Sequence, residues 1–179
     1  MNKFIDRVKA AMAEYFGADS RRIAHALEVA GHAEDLLRYI DADETLTMAA
    51  AYLHDIGIPE AERKYGSCAG PHQEKEGPPV ARRILETLGA EPDFVEAACT
   101  LIGRHHTPAG VDSPEFRILW DADALVNLDE VVPGKSPEKI CSILDKWIVT
   151  EPGYRKALEI YLPRTAAGGT GKPLNKKTL

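Results

Sequence analysis

A histidine and an aspartate stand side by side at the end of an apolar run, where residues Ala49 to Leu53 lead into His54 and Asp55. Burying an imidazole and a carboxylate costs free energy unless another charge or a metal ion compensates. Neighbouring residues of an α-helix point about 100° apart, so both side chains reach one ion only if other segments supply the remaining ligands. The pair therefore predicts a metal site that several segments of the chain share.

Imidazole and carboxylate groups recur among apolar residues in other predicted helices. The candidates are His25, His72, His105, His106, Asp121 and Asp123. Each has an ordinary alternative, such as a hydrogen-bonded core histidine or a favourable charge at a helix C-terminus. Asp121 in particular fits a surface residue or a group that orients a ligand. A shared metal centre is favoured because separate buried histidines and aspartates would each need a partner of their own.

The donor types limit the choice of metal. Nitrogen and carboxylate oxygen without thiolate suit Zn, Fe, Mn or Ni, and they do not select among these metals. A carboxylate can bridge two ions about 3.5–4 Å apart, and such a pair activates water for a displacement at phosphorus. Asp55, next to His54, is the expected bridge. The sequence therefore predicts one or two divalent transition-metal ions.

Bulk composition limits the partners. The net charge is −6 over 179 residues and the pI is near 5.5, which argues against a broad nucleic-acid surface but allows a small phosphorylated substrate. Cys68, Cys99 and Cys141 form no disulfide or metal-binding pattern, and we find no basic-apolar leader and no apolar run of membrane length. We expect a cytoplasmic protein without a membrane span. The oligomeric state stays open, a homodimer being one option.

Helical periodicity covers most of the chain. Apolar residues spaced three and four apart predict helices over about 2–16, 20–40, 43–55, 72–89, 92–106 and 113–128, and two shorter helices starting at Ser136 and Gly153. Asp19 or Ser20 and then Asp43 are the predicted N-caps of the second and third helices. Pro78 and Pro79 predict a bend or restart, and residues 59–71 predict a loop across the mouth of the site.

Strand-like alternation is missing from the sequence, so the predicted fold class is all-α. We expect one helical domain over residues 1–163, which is large enough to bury a core without disulfides. Residues 164–179 are rich in Gly, Lys and Thr and carry no apolar period, which predicts a flexible tail.

These residues resemble the HD-domain superfamily of metal-dependent hydrolases. The resemblance rests on His25, the run His54-Asp55-Ile56-Gly57 and Asp123, with Arg22 three residues before His25, and it extends over about residues 20–129. It implies a helical bundle in which the first metal is held by His25, His54, Asp55 and Asp123. The additional ligands of the two-metal branch resemble His72, His105 and His106. The resemblance also implies that Asp55 bridges the ions and that a metal-activated water is the nucleophile.

The sequence departs from two branches of this superfamily. The enzymes that cleave cyclic dinucleotides carry His-His-Glu and Gly-Tyr-Pro, whereas this chain has His105-His106-Thr107-Pro108 and no Gly-Tyr-Pro. That activity is therefore not expected. A histidine followed by threonine is similar to the branch that splits diadenosine polyphosphates, but Ile58 replaces the lysine that is frequent there.

A phosphorylated substrate needs cations beside the metal. Arg104, Lys64 and Arg63 are the predicted phosphate contacts because loops and helix ends can direct side chains into a site mouth. Glu60 or Asp121 is a candidate for proton transfer. The predicted catalytic residues are thus Asp55, Arg104 and Lys64.

The leading hypothesis is a metal-dependent phosphohydrolase acting on a phosphoester or phosphoanhydride, a nucleotide in the first place. Two alternatives remain open at this stage. One is a di-iron oxygenase, which the two-metal branch also contains and which the same ligands could support. The other is a non-catalytic, nucleotide-sensing module, although a purely structural metal would not need up to six ligands.

Overall fold

The computed structural model describes residues 3–107 and 110–162, and within these ranges the chain forms helices and no strand. In chain order the helices are α1 (Lys3–Phe16), α2 (Ser20–Leu37), α3 (Glu44–Leu53), α4 (Ile58–Tyr65), α5 (Gly70–Thr87), α6 (Pro92–Ile102), α7 (Pro114–Asn127), α8 (Pro137–Trp147) and α9 (Glu151–Tyr161), with a short 3-10 helix at Leu128–Glu130 between α7 and α8. The all-α prediction is confirmed.

Side-chain caps explain where several helices begin. Asp19 and Asp43 each accept a hydrogen bond from a backbone N–H in the first turn of α2 and α3. Ser113, Ser136 and Thr150 do the same for α7, α8 and α9. A side-chain oxygen here satisfies one of the four N–H groups that a helix start leaves unpaired. The predicted caps at Asp19 and Asp43 are confirmed.

Helix α3 lies at the centre and contacts α1, α2, α6 and α7. Its residues Ala49, Ala50 and Ala51 are all fully buried. Their small side chains let the surrounding helices approach α3 closely. Because α3 ends at Leu53, the His54-Asp55 pair emerges where these helices meet. The site is therefore built on the most enclosed helix of the fold.

Three groups of buried apolar residues hold the helices together. The first joins α1, α3, α5 and α6 through residues such as Met12, Leu53 and Leu85. The second joins α2, α3 and α7, and the third joins α7, α8 and α9 around Leu125 and Leu144. Helix α7 belongs to both of the last two groups, so it connects the centre of the molecule to the C-terminal helices.

The predicted loop over residues 59–71 is wrong. Residues Ile58–Tyr65 form α4, with Pro59 in its first turn and Gly66 ending it in the left-handed conformation at φ 63°. A proline is compatible with a first turn because its missing N–H would be unpaired there in any case. Only residues 66–69 are left to connect α4 to α5.

The predicted restart at Pro78 and Pro79 is also wrong, because α5 runs unbroken from Gly70 to Thr87. Pro78 packs against α6 at Gly103, where an added Cβ would lie 3.0 Å from the ring. One residue before Pro78, Gly77 lies so close to Gly57 that a Cβ on Gly57 would come within 2.5 Å of the Gly77 nitrogen. Two glycines in contact therefore fix the turn after Asp55 against α5.

The two C-terminal helices are present as predicted, but α9 begins at Glu151, two positions before Gly153, because Thr150 caps it. The tail predicted over 164–179 lies outside the described residues. Among the helices that are described, none has the length and apolar character needed to cross a membrane.

Candidate metal centre

His54 is fully buried at the end of α3, and the fold fixes the direction of its ring. Its Nδ1 lies 2.8 Å from the carbonyl oxygen of Ala51. A carbonyl can only accept, so Nδ1 carries the proton and donates it. Nε2 then faces the centre of the site, 3.5 Å from Asp55 Oδ2 and 3.5 Å from Asp123 Oδ1.

Helices α2 and α7 bring His25 and Asp123 to the same point. His25 Nε2 lies 3.2 Å from His54 Nε2 and 3.2 Å from Asp123 Oδ1, and 3.6 Å from Asp55 Oδ2. The donor atoms of His25, His54 and Asp55 all lie within 4.8 Å of one another, and Asp123 Oδ1 adjoins the two imidazoles of this group. One cation between them would satisfy all four, which a single shared proton cannot do.

His105 and His106 form a second group with Asp55, their donor atoms lying within 4.8 Å of one another. His105 is 3% exposed, and its Nδ1 lies 2.7 Å from the carbonyl oxygen of Ile102. Its Nε2 is buried, has no hydrogen-bond partner and lies 3.5 Å from Asp55 Oδ1. A buried nitrogen without a partner costs about 1–3 kcal/mol. A metal ligand role would account for it.

Asp55 stands between the two groups, and its two oxygens face different histidines. Oδ2 faces His25 and His54, whereas Oδ1 faces His105. This is the arrangement that a bridging carboxylate requires. All the donors are imidazole nitrogens and carboxylate oxygens, so the residues fit Zn, Fe, Mn or Ni equally.

His72, predicted as a ligand, belongs to neither group within the described part of the chain. Its ring stacks on Tyr65 with the ring centres 4.3 Å apart, and its buried Nδ1 has no hydrogen-bond partner. The neighbouring residue Gln73 instead faces the site, with Oε1 3.3 Å from His106 Nε2. Sequence reasoning missed Gln73 because an amide is not among the usual metal ligands.

A cavity of about 330 Å³ opens over Asp55, His25 and His106. Arg21 and Arg22 also line it, as do acidic Glu62 and Glu130. The volume is at the lower end of the range for small-molecule sites, roughly 300–1,000 Å³.

The two arginine side chains at the cavity differ in how firmly ion pairs hold them. Arg22 is held by Glu62 Oε1 at 2.6 Å and by Asp19 Oδ2 at 3.2 Å. Arg21 is exposed and has no ion-pair partner among the residues that the structure describes. A guanidinium without a fixed partner can bind an incoming phosphate.

The predicted phosphate contacts Lys64 and Arg104 do not line this cavity. Lys64 pairs with Glu76, and Arg63 pairs with Glu60 Oε2 at 2.7 Å. Arg104 is exposed beyond the end of α6. The proposed catalytic roles of Lys64 and Arg104 stay predictions, and the structure offers Arg21 and Arg22 in their place.

The charges of the centre stabilise one another. Burial opposes a charge on His54, but the carboxylates of Asp55 and Asp123 raise the pKa of His54 to about 9. Burial likewise opposes ionisation of Asp55, yet His54 and His105 lower its pKa to about 2. Hydrogen bonds with His25 and His54 hold the pKa of Asp123 far below its usual range, against the effect of burial. The carboxylates are therefore ionised and ready to bind a cation.

Asp121, two residues before Asp123, does not join the centre. Its fully buried carboxylate accepts hydrogen bonds from the backbone N–H groups of Val149 and Thr150 at 2.8 and 2.9 Å, and from the Thr150 hydroxyl at 2.5 Å. It thus fastens the start of α9 to α7, and a role in proton transfer at the cavity finds no support in these contacts.

Comparison with known proteins agrees with this architecture. A family model described as the HD domain matches residues 22–128. Among solved structures, a predicted HD superfamily hydrolase from an uncultured Thermotogales bacterium is similar, with 26% sequence identity and a TM-score of 0.61, over 90% of this chain and 85% of that chain. No match was found among curated proteins. The matched segment contains all of the donors described above.

Proposed function

The chain belongs to the HD-domain family, and on this premise we propose that it is a metal-dependent phosphohydrolase acting on a small phosphorylated substrate. The main support for this proposal is that two groups of metal donors share Asp55, beneath a cavity that Arg21 and Arg22 line. The two groups of metal donors account for hydrolase activity in general. The two guanidinium groups are what favour a phosphate over an uncharged substrate.

The chain's own residues contribute orientation and charge. A divalent ion held by His25, His54, Asp55 and Asp123 would polarise a phosphoryl oxygen and lower the pKa of a bound water. The bonds from His54 to Ala51 and from His105 to Ile102 fix which ring nitrogen is available as ligand. No reorientation is then needed when the ion binds.

Arg21 and Arg22 have different parts in this proposal. Arg22 is fixed by Asp19 and Glu62, so it shapes the cavity wall and adds a positive potential. Arg21 is free to bind the substrate phosphate directly, with two parallel hydrogen bonds. Replacing Arg21 with Gln should raise KM for a phosphorylated substrate by about tenfold with little effect on kcat. Arg7→Gln, an exposed arginine of α1 outside the cavity, is the matched control and should leave both constants unchanged.

The decisive test combines metal analysis with a substrate panel of nucleoside mono-, di- and triphosphates, dinucleoside polyphosphates and an aryl phosphate. His54→Gln and Asp55→Asn should lose bound metal and reduce turnover by at least about 1,000-fold, since metal polarisation contributes several kcal/mol to the barrier. Asp41→Asn, an exposed site outside the cavity, serves as the control. Unchanged turnover in the His54 and Asp55 variants would sink the proposal.

The same panel separates the two alternatives. Hydrolysis under strict anaerobiosis contradicts a di-iron oxygenase, whereas loss of substrate only in the presence of O₂ and bound iron favours it. Tight nucleotide binding at full metal occupancy, without turnover of any substrate in the panel, favours a sensing module. Nucleotides come first in the panel because they combine a phosphate with a body that the cavity walls can contact.

A further inference from the structure

Gln73 lies near the start of α5 with 8% of its surface exposed, and its hydrogen bonds fix the direction of its amide. Nε2 donates to the carbonyl oxygen of Cys68 at 2.6 Å. That carbonyl can only accept, so the two ends of the amide cannot be exchanged. Oε1 must therefore point the other way, where it lies 3.3 Å from His106 Nε2.

His106 is held against the same end of α5. The backbone N–H of His106 donates to Glu74 Oε1 at 3.1 Å, and the Thr107 hydroxyl donates to Glu74 Oε2 at 3.0 Å. The His106 ring packs over Gly70, where an added Cβ would lie 3.0 Å from its Cδ2. The first turns of α5 thus hold Gln73 and His106 in a fixed relation to each other.

We propose that the side-chain oxygen of Gln73 is the fourth protein donor of a second metal position, together with Asp55, His105 and His106. This inference rests on the metal centre of the proposed function and adds one residue and one property to it. The 3.3 Å contact is a hydrogen bond in this structure, and the same separation suits two donors on one ion, because ligands about 2.1 Å from a metal lie roughly 3 Å apart when adjacent.

The added property is a difference in ligand charge between the two metal positions. The first has two carboxylates, Asp55 and Asp123, and two imidazoles. The second has only its share of Asp55, two imidazoles and a neutral amide. With less negative charge around it, the second ion should bind more weakly and keep more positive charge for an anionic substrate. An amide oxygen also suits Mn²⁺ better than softer metals.

The test is calorimetric titration of chelator-treated protein with Mn²⁺, with elemental analysis to count ions. Wild type should bind two ions with unequal affinities. Gln73→Leu should weaken the second binding event by about 10–100-fold and leave the first unchanged. Gln73→His, which supplies an imidazole, should tighten the second event. Magnetic coupling between two Mn²⁺ ions in the wild type should show that both lie in one centre.

His72→Phe is the matched control, because it keeps the ring stack on Tyr65 and removes both ring nitrogens. It should leave both binding events unchanged. The inference is overturned if Gln73→Leu, folded as judged by circular dichroism, binds the second ion as wild type does, or if His72→Phe weakens that ion instead. A single binding event in wild type also overturns it, while hydrolysis with one ion would leave the proposed function standing.

Discussion

Asp121 and Asp123 lie two residues apart on α7, and each is surrounded by different partners. Two steps along a helix rotate a side chain by about 200°, so the two carboxylates face opposite sides. Asp123 meets His25 and His54, which can carry positive charge. Asp121 meets only neutral backbone and hydroxyl donors of the segment before α9.

The surroundings move the two pKa values in opposite directions. Burial raises the pKa of Asp121 to about 6, and the hydrogen bonds from Thr150 and Val149 only limit that rise. For Asp123, the bonds with His25 and His54 outweigh burial and lower the pKa. A buried aspartate by itself is therefore no sign of a metal site, and the charge of its partners decides which role it has.

Substitution of Asp123 is the most direct test of the difference between the two aspartates. Asp123→Asn keeps the shape of the side chain and removes the charge, so we expect metal affinity to fall by at least about 100-fold and turnover by about 1,000-fold. Metal added to wild type should raise the thermal midpoint, because only the folded chain has the assembled site. That rise should be absent in the variant.

Metal content after dialysis and thermal midpoints with and without Mn²⁺ measure this prediction. Asn127 donates to Asp123 Oδ1 at 2.9 Å. Loss of this hydrogen bond alone would leave the charge of Asp123 in place, so it should perturb the site far less than Asp123→Asn. If Asp123→Asn retained wild-type metal content and turnover, the assignment of Asp123 as a ligand would be wrong.

Asp121 should give the reverse pattern. Asp121→Ala removes the three hydrogen bonds from the Val149 and Thr150 N–H groups and the Thr150 hydroxyl, each worth about 0.5–1.5 kcal/mol, so the free energy of unfolding should fall by about 2–4 kcal/mol. Metal content and turnover per folded molecule should stay as in wild type. Chemical denaturation and metal analysis of the same preparations measure both quantities.

A second variant tests the same contact from the other side. Gly153 leaves room for the carboxylate, and a Cβ at that position would clash with Asp121 Oδ2. Gly153→Ala should therefore destabilise the protein by about 1–3 kcal/mol, again without loss of metal. Loss of metal at intact fold in either variant would show that Asp121 acts on the centre after all.

Much of the fold followed from local pattern. The caps at Asp19 and Asp43 and the apolar spacing of most helices could be predicted, because both depend on neighbours within one or two turns. Helix α4 could not, since its eight residues bury only Ile58 and Ala61, too few apolar positions to show a helical period. The unbroken α5 was missed because its support comes from packing on α6.

The site shows the same division. His25, His54, Asp55 and Asp123 were identified from residue type and order, and the structure brings them together. Whether His72 or Gln73 faces the cavity depends on the rotation of α5 about its axis, because neighbouring helix residues point about 100° apart. The close contact between Gly57 and Gly77 joins α5 to the turn after Asp55, and no local pattern reveals it.

The smallest expected effect, a difference in pH dependence, would sharpen the comparison. Asp121 has a pKa of about 6 in the folded protein against an ordinary value of 3.8. Between these values the folded state holds more protons than the unfolded state, so raising the pH lowers the free energy of unfolding. This contribution is fully present below pH 4, is lost by about pH 7 and amounts to roughly 1–2 kcal/mol after local relaxation.

Denaturation of wild type and Asp121→Asn between pH 4 and 7, both with chelator, isolates this contribution because the metal ligands titrate alike in the two proteins. Relative to the variant, wild type should lose stability as the pH rises through 6. Asp55, with its pKa lowered to about 2, has the opposite sign, since its stabilisation is present above about pH 4 and is lost as the pH falls toward 2. A stability difference that stays flat from pH 4 to 7 would mean that the donors around Asp121 hold it ionised, and that the two aspartates differ in partners but not in charge.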